Sequence, residues 1–351
     1  MDGDLLDPQF SVPNTPRFQL GLGIPAHDYD VLQRRARAAE AGGFSFVAVG
    51  DNPALIKDTY VSLTMLAVAT DTCRIGTAMT DCVHRDMLVT AAAMSSVESV
   101  ARGRTFLGIS AGRARKPGTM KQLREFVVAL RELWERGETE YQGERVTLGW
   151  DARPVPVLLG VSGPRGLRMA GEIADGAICE AGVDESTLAR VRGDLAAGAL
   201  AAGRDPEELE IWHSLKTSIA EDPDEAMWQI APQLAALGAI ALGRDPEQAG
   251  VPERFRPACR DLAERYDMAA HLRTDPENPN RELVLDPEFR AYVLDRFCLV
   301  GSAREWVERL EDLKKRGADR IFCVGLVPDL DRYIDLVGRT VLHTRVGSNE
   351  R

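Results

Sequence analysis

The chain has 351 residues, 44% of them hydrophobic, and a formal net charge of −11, so it can bury one large α/β barrel or two average domains. A pI near 5.1 argues against a general nucleic-acid or anionic-membrane surface, and no apolar run approaches the roughly 20 residues that cross a bilayer. Six cysteines (Cys73, Cys82, Cys179, Cys259, Cys298, Cys323) stand far apart without a CxxC pair, the pattern of reduced thiols in a cytoplasmic protein and not of a disulfide framework or metal site.

Residues 1–17 read as an acidic, proline-broken tail without the features of a signal peptide, and 346–351 as a second tail. Phe18–Leu22 reads as a strand and Asp28–Gly42 as a helix stopped by Gly42-Gly43. Phe44–Val49, a helix near Thr59–Thr70, Arg74–Met79 and the long helix Met87–Ala101 continue the alternation. Thr105–Ser110 reads as the fourth strand and Gly118–Arg136 as its helix. The apolar, β-branched run Val155–Val161 reads as a buried fifth strand, followed by a helix to about Ala174 and a sixth strand, Ala177–Glu180. A helix near Glu185–Ala202 and the strand Leu209–Ile219 follow. The chain closes with the helix Ala303–Arg316, the strand Arg320–Val327 and the helix Leu330–Leu342. Repeated βα units mean parallel pairing, and the expected architecture is a (β/α)8 TIM barrel over 18–345. Arg244–Glu288, rich in proline and with one good helical piece at Ala258–His271, reads as a lid-like insertion before the last βα unit.

In the stretch VPVLLGVSGPRGLRMAGEIADGAI, Ser162-Gly163-Pro164 turns a strand into a helix with proline at its first position. Free N–H groups and the helix dipole make such an entrance an anion site, whereas Arg165 and Arg168 oppose the dipole unless an anion sits there. Two readings stay open: a phosphate site, or a βα turn with two solvated arginines.

In a barrel the chemistry lies at the C-terminal strand ends, which selects Gly23, Asp51, Thr80, Asp81, Ser110, Ser162, Glu180 and His213. Polar residues gather most densely in the loop Thr80-Asp81-Cys82-Val83-His84-Arg85-Asp86. Asp51, Asp81 and His84 are the acid/base candidates; Arg85 and Glu98 are expected to form a structural ion pair, and His213 to be a hydrogen-bonded core residue. Gly21-Leu22-Gly23-Ile24-Pro25-Ala26, with Asp51 ending the next strand, imitates the dinucleotide fingerprint, so an NAD(P)-dependent Rossmann enzyme is the competing architecture. Pro25 and His27-Asp28 delay the helix away from these glycines, which favours the barrel.

PALIKDTYVSLTMLAVATDTCRIGTAMTD, the opening glycine-turn unit and FCLVGSAREWVERLEDLKKRGADRIFCVGL together resemble the luciferase-like family of flavin and deazaflavin oxidoreductases. Within it the sequence is most similar to the branch of F420-dependent methylenetetrahydromethanopterin reductase. The resemblance implies an enzyme that binds coenzyme F420, the favoured cofactor, or FMN. It would move a hydride, or with FMN activate oxygen, on a small organic substrate. It further implies that the ring lies over Met79, Thr80, Asp81, Ser110 and Glu180, with a non-proline cis peptide near Ala78-Met79-Thr80, and that phosphate meets Ser162, Gly163, Pro164 and Arg165. Arg113, Arg115 and Lys116 would attract the anionic tail of F420. The chain departs from the family's usual residues at Gly23, Asp81 and Ser110, so a barrel that binds a flavin or metabolite without turnover is a further alternative. No nucleic-acid, membrane or metal partner is expected, and homo-oligomerisation is left open.

Overall fold

The computed structural model describes residues 18–112, 117–243, 245–247, 249–271, 273–283 and 286–342. Its βα units run β1 (Gln19–Gly23), α1 (Tyr29–Ala41), β2 (Phe46–Val49), α2 (Thr59–Ala69), β3 (Arg74–Thr77), the short β4 (Thr80–Asp81), α3 (Met87–Ala101), β5 (Thr105–Ser110) and α4 (Met120–Arg136). A hairpin of β6 (Glu138–Tyr141) and β7 (Glu144–Thr147) precedes β8 (Val157–Gly160), α5 (Pro164–Ile173), β9 (Gly176–Cys179), α6 (Glu185–Ala201) and β10 (Glu210–Ile219). Then follow α7 (Pro223–Ala236), α8 (Arg256–Arg265), α9 (Pro287–Phe297), β11 (Cys298–Gly301), α10 (Ala303–Lys315), β12 (Arg320–Val324) and α11 (Leu330–Val337).

Strands β1, β2, β3, β5, β8, β9, β10 and β12 close into an eight-stranded parallel barrel, with β12 paired to β1 and β9 to β10. Their C-terminal ends therefore share one mouth, and the Rossmann alternative falls. The glycines that imitate a dinucleotide fingerprint have a packing reason instead. A Cβ on Gly21 would lie 2.1 Å from the Phe46 ring, and one on Gly23 3.2 Å from Phe322. Small residues on β1 thus admit large rings from its neighbours, the alternation that fills a narrow lumen.

The lumen core is Phe46, Ala48, Phe106, Leu158, Ile178, Trp212 and Phe322. Phe46 meets Trp212 edge-on at 4.5 Å between centroids and Phe106 at 4.9 Å, geometries that aromatic quadrupoles favour. At the N-terminal end Arg74 Nη1 donates to Glu210 at 2.9 Å and Trp212 Nε1 donates to the same carboxylate at 3.0 Å, closing the floor. Burial pushes the Glu210 carboxyl up, but the Arg74 charge and these hydrogen bonds more than offset it and hold it below the usual range. The outward faces of the strands, among them Leu20, Leu22, Val47, Ile75, Leu107 and Leu159, pack under the helices in the larger core.

Most helix entrances are capped by the last polar side chain of the loop: Asp28, Asp58, Asp86, Thr119, Asp184 and Ser302 each accept from a first-turn N–H. Among the barrel helices α5 is the exception, with Gly163 at its N-cap and no side-chain cap.

The insertion is longer and more helical than its prolines suggest. It leaves β10, builds α7, α8 and α9, and returns as β11, which pairs with the outer half of β10 from Lys216↔Cys298 to Ile219↔Gly301. Proline sits in the first turn of α7, α8 and α9, where its missing N–H costs nothing. These helices have their own apolar core, including Ile230, Leu234, Phe255, Leu262, Phe289 and Phe297.

Candidate active site

The densest polar cluster lies after β3. The peptide Ala78-Met79 is cis, in agreement with the family resemblance. Met79 then turns its side chain into the lumen: a Cβ on Gly160 would lie 2.1 Å from Met79 Cε, so the glycine is the groove that accepts the thioether. Thr80 is buried, and its hydroxyl donates to Asp51 Oδ2 at 2.7 Å. Arg85 donates twice to Asp51, from Nε at 3.0 Å and Nη2 at 2.8 Å, and once from Nη1 to Asp58 at 2.9 Å. The expected Arg85–Glu98 ion pair is thereby corrected: Glu98 instead accepts from the backbone and hydroxyl of Thr105 at the start of β5. Arg85 is partly buried between two carboxylates, and its hydrogen bonds to Asp51 push its pKa upward. Its guanidinium also lies over the Tyr60 ring at 5.0 Å, and burial pushes that phenol up to about 12. This clamp ties the ends of β2 and β3 together.

Asp81 forms a second knot. Its Oδ1 accepts from the backbone N–H groups of Val83 and His84, both at 2.8 Å, and its Oδ2 lies 2.7 Å from His84 Nδ1. Because an ionised carboxylate only accepts, Nδ1 is the donor in this contact. Gly112 closes on this knot, since a Cβ there would lie 2.9 Å from Asp81 Cγ. Ser110 Oγ accepts from Gly112 N at 3.3 Å and lies 3.5 Å from the Thr80 carbonyl. Burial first, then the Asp81 charge, push the Cys82 thiol up to about 11, so it is no thiolate at neutral pH.

The third part of the mouth is formed by β8, β9 and β10. Ser162 Oγ accepts from Glu180 N at 3.0 Å, fixing the two strand ends together. The first bond of α5 runs from Leu167 N to Gly163 O, and Pro164 has no N–H, so the N–H groups of Arg165 and Gly166 lack intrahelical partners. A Cβ placed on Gly163 meets nothing within 4 Å. The entrance of α5 is thus an open cradle of donors at the positive end of a dipole. Arg168 does not stand in solvent alone: its Nε pairs with Asp194 of α6 at 3.1 Å. Arg190 of α6 donates to the Ser162 carbonyl at 3.4 Å, a second cation beside the cradle that the sequence pattern did not single out.

His213 faces outward from the barrel and lies 3.7 Å from Cys179 Sγ; burial pulls it down to about 4, and it is a core residue as expected. The structure adds Lys216, whose Nζ lies 2.6 Å from Glu180 Oε1. A lysine within a strand pattern carries no motif, and only its inward parity with Trp212 marks it. Arg113, Arg115 and Lys116 lie outside the described residues.

A closed parallel barrel with a cis peptide after its third strand and an uncapped helix entrance after its fifth is a TIM barrel whose candidate site lies at the C-terminal strand ends. The luciferase-like monooxygenase family matches residues 9–320, and the chain belongs to that family. It is similar to the 5,10-methylenetetrahydromethanopterin reductase of Archaeoglobus fulgidus, with 25% identity over 335 residues, 91% of this chain and 97% of that one. It is also similar to the F420-dependent glucose-6-phosphate dehydrogenase of Tsukamurella paurometabola, with 29% identity over 60% of this chain and 72% of that one. Among solved structures, the coenzyme F420-dependent tetrahydromethanopterin reductase of Methanopyrus kandleri superposes with a TM-score of 0.75 at 21% identity, covering 93% of this chain and 98% of that one. The oxygenating constituent of 3,6-diketocamphane monooxygenase of Pseudomonas putida, in complex with FMN, gives 0.64 at 18% identity over 93% and 98% of the two chains.

Proposed function

We propose that this oxidoreductase binds coenzyme F420 and transfers a hydride between it and a small organic substrate. The observation that carries this reading is the uncapped, sterically open entrance of α5, on the same mouth as the loop after β3. Ser162, Gly163, Pro164 and Arg165 would hold a ribityl phosphate there, with Arg190 alongside. Met79, Thr80, Asp81, Ser110 and Glu180 would surround the ring. The cofactor supplies the two-electron chemistry, and the protein positions the reactants and moves protons. In this reading the Asp51–Arg85 clamp is a brace for the ring-bearing loop. His84, with Nδ1 held by Asp81, presents Nε2 as a proton acceptor.

Relatives named for F420 favour hydride transfer, and the FMN-bound structural neighbour keeps oxygen activation as the second reading. Fluorescence titration with each cofactor at several salt concentrations tests the choice: F420 should bind more tightly and lose more affinity with salt, since its tail adds charge. Tight FMN binding, no F420 binding and substrate-dependent oxygen uptake would establish the second reading; binding of neither would overturn both.

The insertion acts as the lid in this account, because it bonds to two mouth loops. Arg296 O accepts from Val183 N at 2.8 Å, and Gln233 reaches the Leu326 carbonyl at 2.5 Å. All six cysteines are buried free thiols, in keeping with a cytoplasmic protein, and among the described residues no helix is long and apolar enough to cross a membrane. Val61 and Val68 of the apolar α2, and Val89 and Val100 of the neighbouring α3, stay exposed, which supports self-association through these helices.

A further inference from the structure

The insertion grips the barrel mouth through one side chain in particular. Arg296, in the last turn of α9, is only 12% exposed, and its guanidinium is enclosed by the chain around it. Nε lies 3.2 Å from Asp184 Oδ2, and Nη2 donates to the carbonyls of Ala181 at 3.3 Å and Ala249 at 3.1 Å. Nη1 donates to the Tyr292 hydroxyl and to the Gly250 carbonyl. Only the rigid fork of a guanidinium presents donors in so many directions at once. The loop after β9 is shaped to receive it. Gly182 takes φ +104°, and a Cβ there would lie 2.6 Å from Arg296 Cγ, so glycine alone lets the loop wrap this closely. Val183 N then donates to Arg296 O at 2.8 Å, and the arginine is held by backbone as well as side chain.

Two routes lead from Arg296 to the entrance of α5, and both end on Ser162. The first follows the loop: Ala181 accepts from Arg296, and its neighbour Glu180 donates its N–H to Ser162 Oγ at 3.0 Å. The second passes through α6. Asp184 is the N-cap of that helix, with Oδ1 accepting from Thr187 N at 3.0 Å and from Ser186 Oγ at 2.6 Å while Oδ2 faces Arg296. Burial pushes the Asp184 carboxyl up, but these hydrogen bonds and the Arg296 charge hold it below the usual range, so it is ionised at neutral pH. Further along α6, Arg190 donates to the Ser162 carbonyl at 3.4 Å, and the largely buried Asp194 pairs with both Arg190 and Arg168 of α5. The two helices move as one body, because they pack backbone to backbone: a Cβ on Gly198 would lie 1.9 Å from Arg168 O, and one on Gly171 2.1 Å from Leu195 O. Ser162 is thus held at its hydroxyl and at its carbonyl by groups that Arg296 fixes in place.

We propose that Arg296 is a positioning residue for the cofactor phosphate, which links the seating of the insertion to the affinity of the α5 entrance. The inference rests on the F420 reading above. A phosphate held at Gly163 and Arg165 orders Ser162, and through it the loop 180–184 that encloses Arg296. Loss of Arg296 releases the same loop and lets Ser162 drift from the position the phosphate needs. Linkage makes the effect reciprocal, and couplings of this kind change affinity by about 5–150-fold.

The test uses the full-length protein and fluorescence titration. Arg296→Gln should weaken F420 binding about tenfold. The same deazaflavin without its phosphate and tail, which cannot reach the entrance of α5, should bind the variant and the unmodified protein within about threefold of each other. Asp184→Asn guards against misfolding, since asparagine also caps a helix. It removes only the charge that faces Arg296 and should weaken F420 binding by about threefold to tenfold. A second readout requires no substitution: saturating F420 should slow hydrogen exchange at the Val183 amide, bonded to Arg296 O, by at least about fivefold. F420 affinity unchanged in both variants, or a Val183 amide indifferent to F420, would overturn the inference while leaving F420 binding intact. An equal loss of both ligands would also overturn it, because a merely structural support of the mouth weakens ring and phosphate alike. Failure of the unmodified protein to bind F420 would overturn the functional reading and this inference with it.

Discussion

The clamp between Asp51 and Arg85 makes a quantitative prediction. The Asp51 carboxylate is 6% exposed and the Arg85 side chain 18%, and two parallel N–H bonds join them. Gross attraction at 4 Å in a partly buried site is about 4 kcal/mol, and removing one member of a buried pair costs about 3–5 kcal/mol because its partner is left unpaired. Arg85 would keep Asp58, whose carboxylate is 43% exposed, so Asp51→Ala should cost less, about 2–3 kcal/mol. Arg85→Met should cost a similar amount, and the double variant little more than either single one. The resulting coupling energy, measured by urea unfolding of all four proteins, should be about 1.5–3 kcal/mol. Coupling below about 0.5 kcal/mol would refute the brace and return Asp51 to the list of free acid/base groups.

Gly163→Val should fill the open space at the entrance of α5 and weaken cofactor binding about tenfold, with a change in Tm of no more than a few degrees; equal affinity would place the phosphate elsewhere. Gly21→Ala should destabilise the barrel by at least about 2 kcal/mol, read by denaturant midpoint, because its methyl would enter the Phe46 ring. Burial holds His213 near 4 in the fold while the unfolded chain takes a proton near 6.5, so stability should be fully present above pH 6.5 and fall as pH drops towards 4, by about 3 kcal/mol in all. His213→Asn should flatten that slope in unfolding experiments at pH 7 and pH 5; parallel slopes would show that another group is responsible.

The barrel was legible because its signals are local and repeated. Apolar runs, polar helix caps and glycine stops recur along the chain, and each of the eight barrel strands lies within or close to its expected run. The cradle at Ser162-Gly163-Pro164 could be read for the same reason, since a glycine N-cap followed by proline is a contiguous pattern. What stayed hidden depends on partners distant in sequence. Arg85 was paired with Glu98, thirteen residues on along the same loop and helix, when its partners are 34 and 27 residues back. Lys216 gains its partner only from Glu180, brought beside it by strand register. In the insertion the prolines suggested irregular chain, yet three of its helices carry one in the first turn. The hairpin β6–β7 was missed although Gln142 and Gly143 both take left-handed turn conformations, because its strands are short and charged.

The ten-residue strand β10 joins two structures end to end: its inner half closes the ring, and its outer half carries β11. Everything from Ala220 to Phe297 therefore departs and returns at neighbouring points on one stave, around a hydrophobic nucleus of its own. Such an arrangement is a cassette. Exchanging it between relatives would leave the ring's hydrogen-bond ladder unaltered while replacing the segment that bonds to Val183 and Leu326, so ring and insertion can be recombined at two adjacent seams.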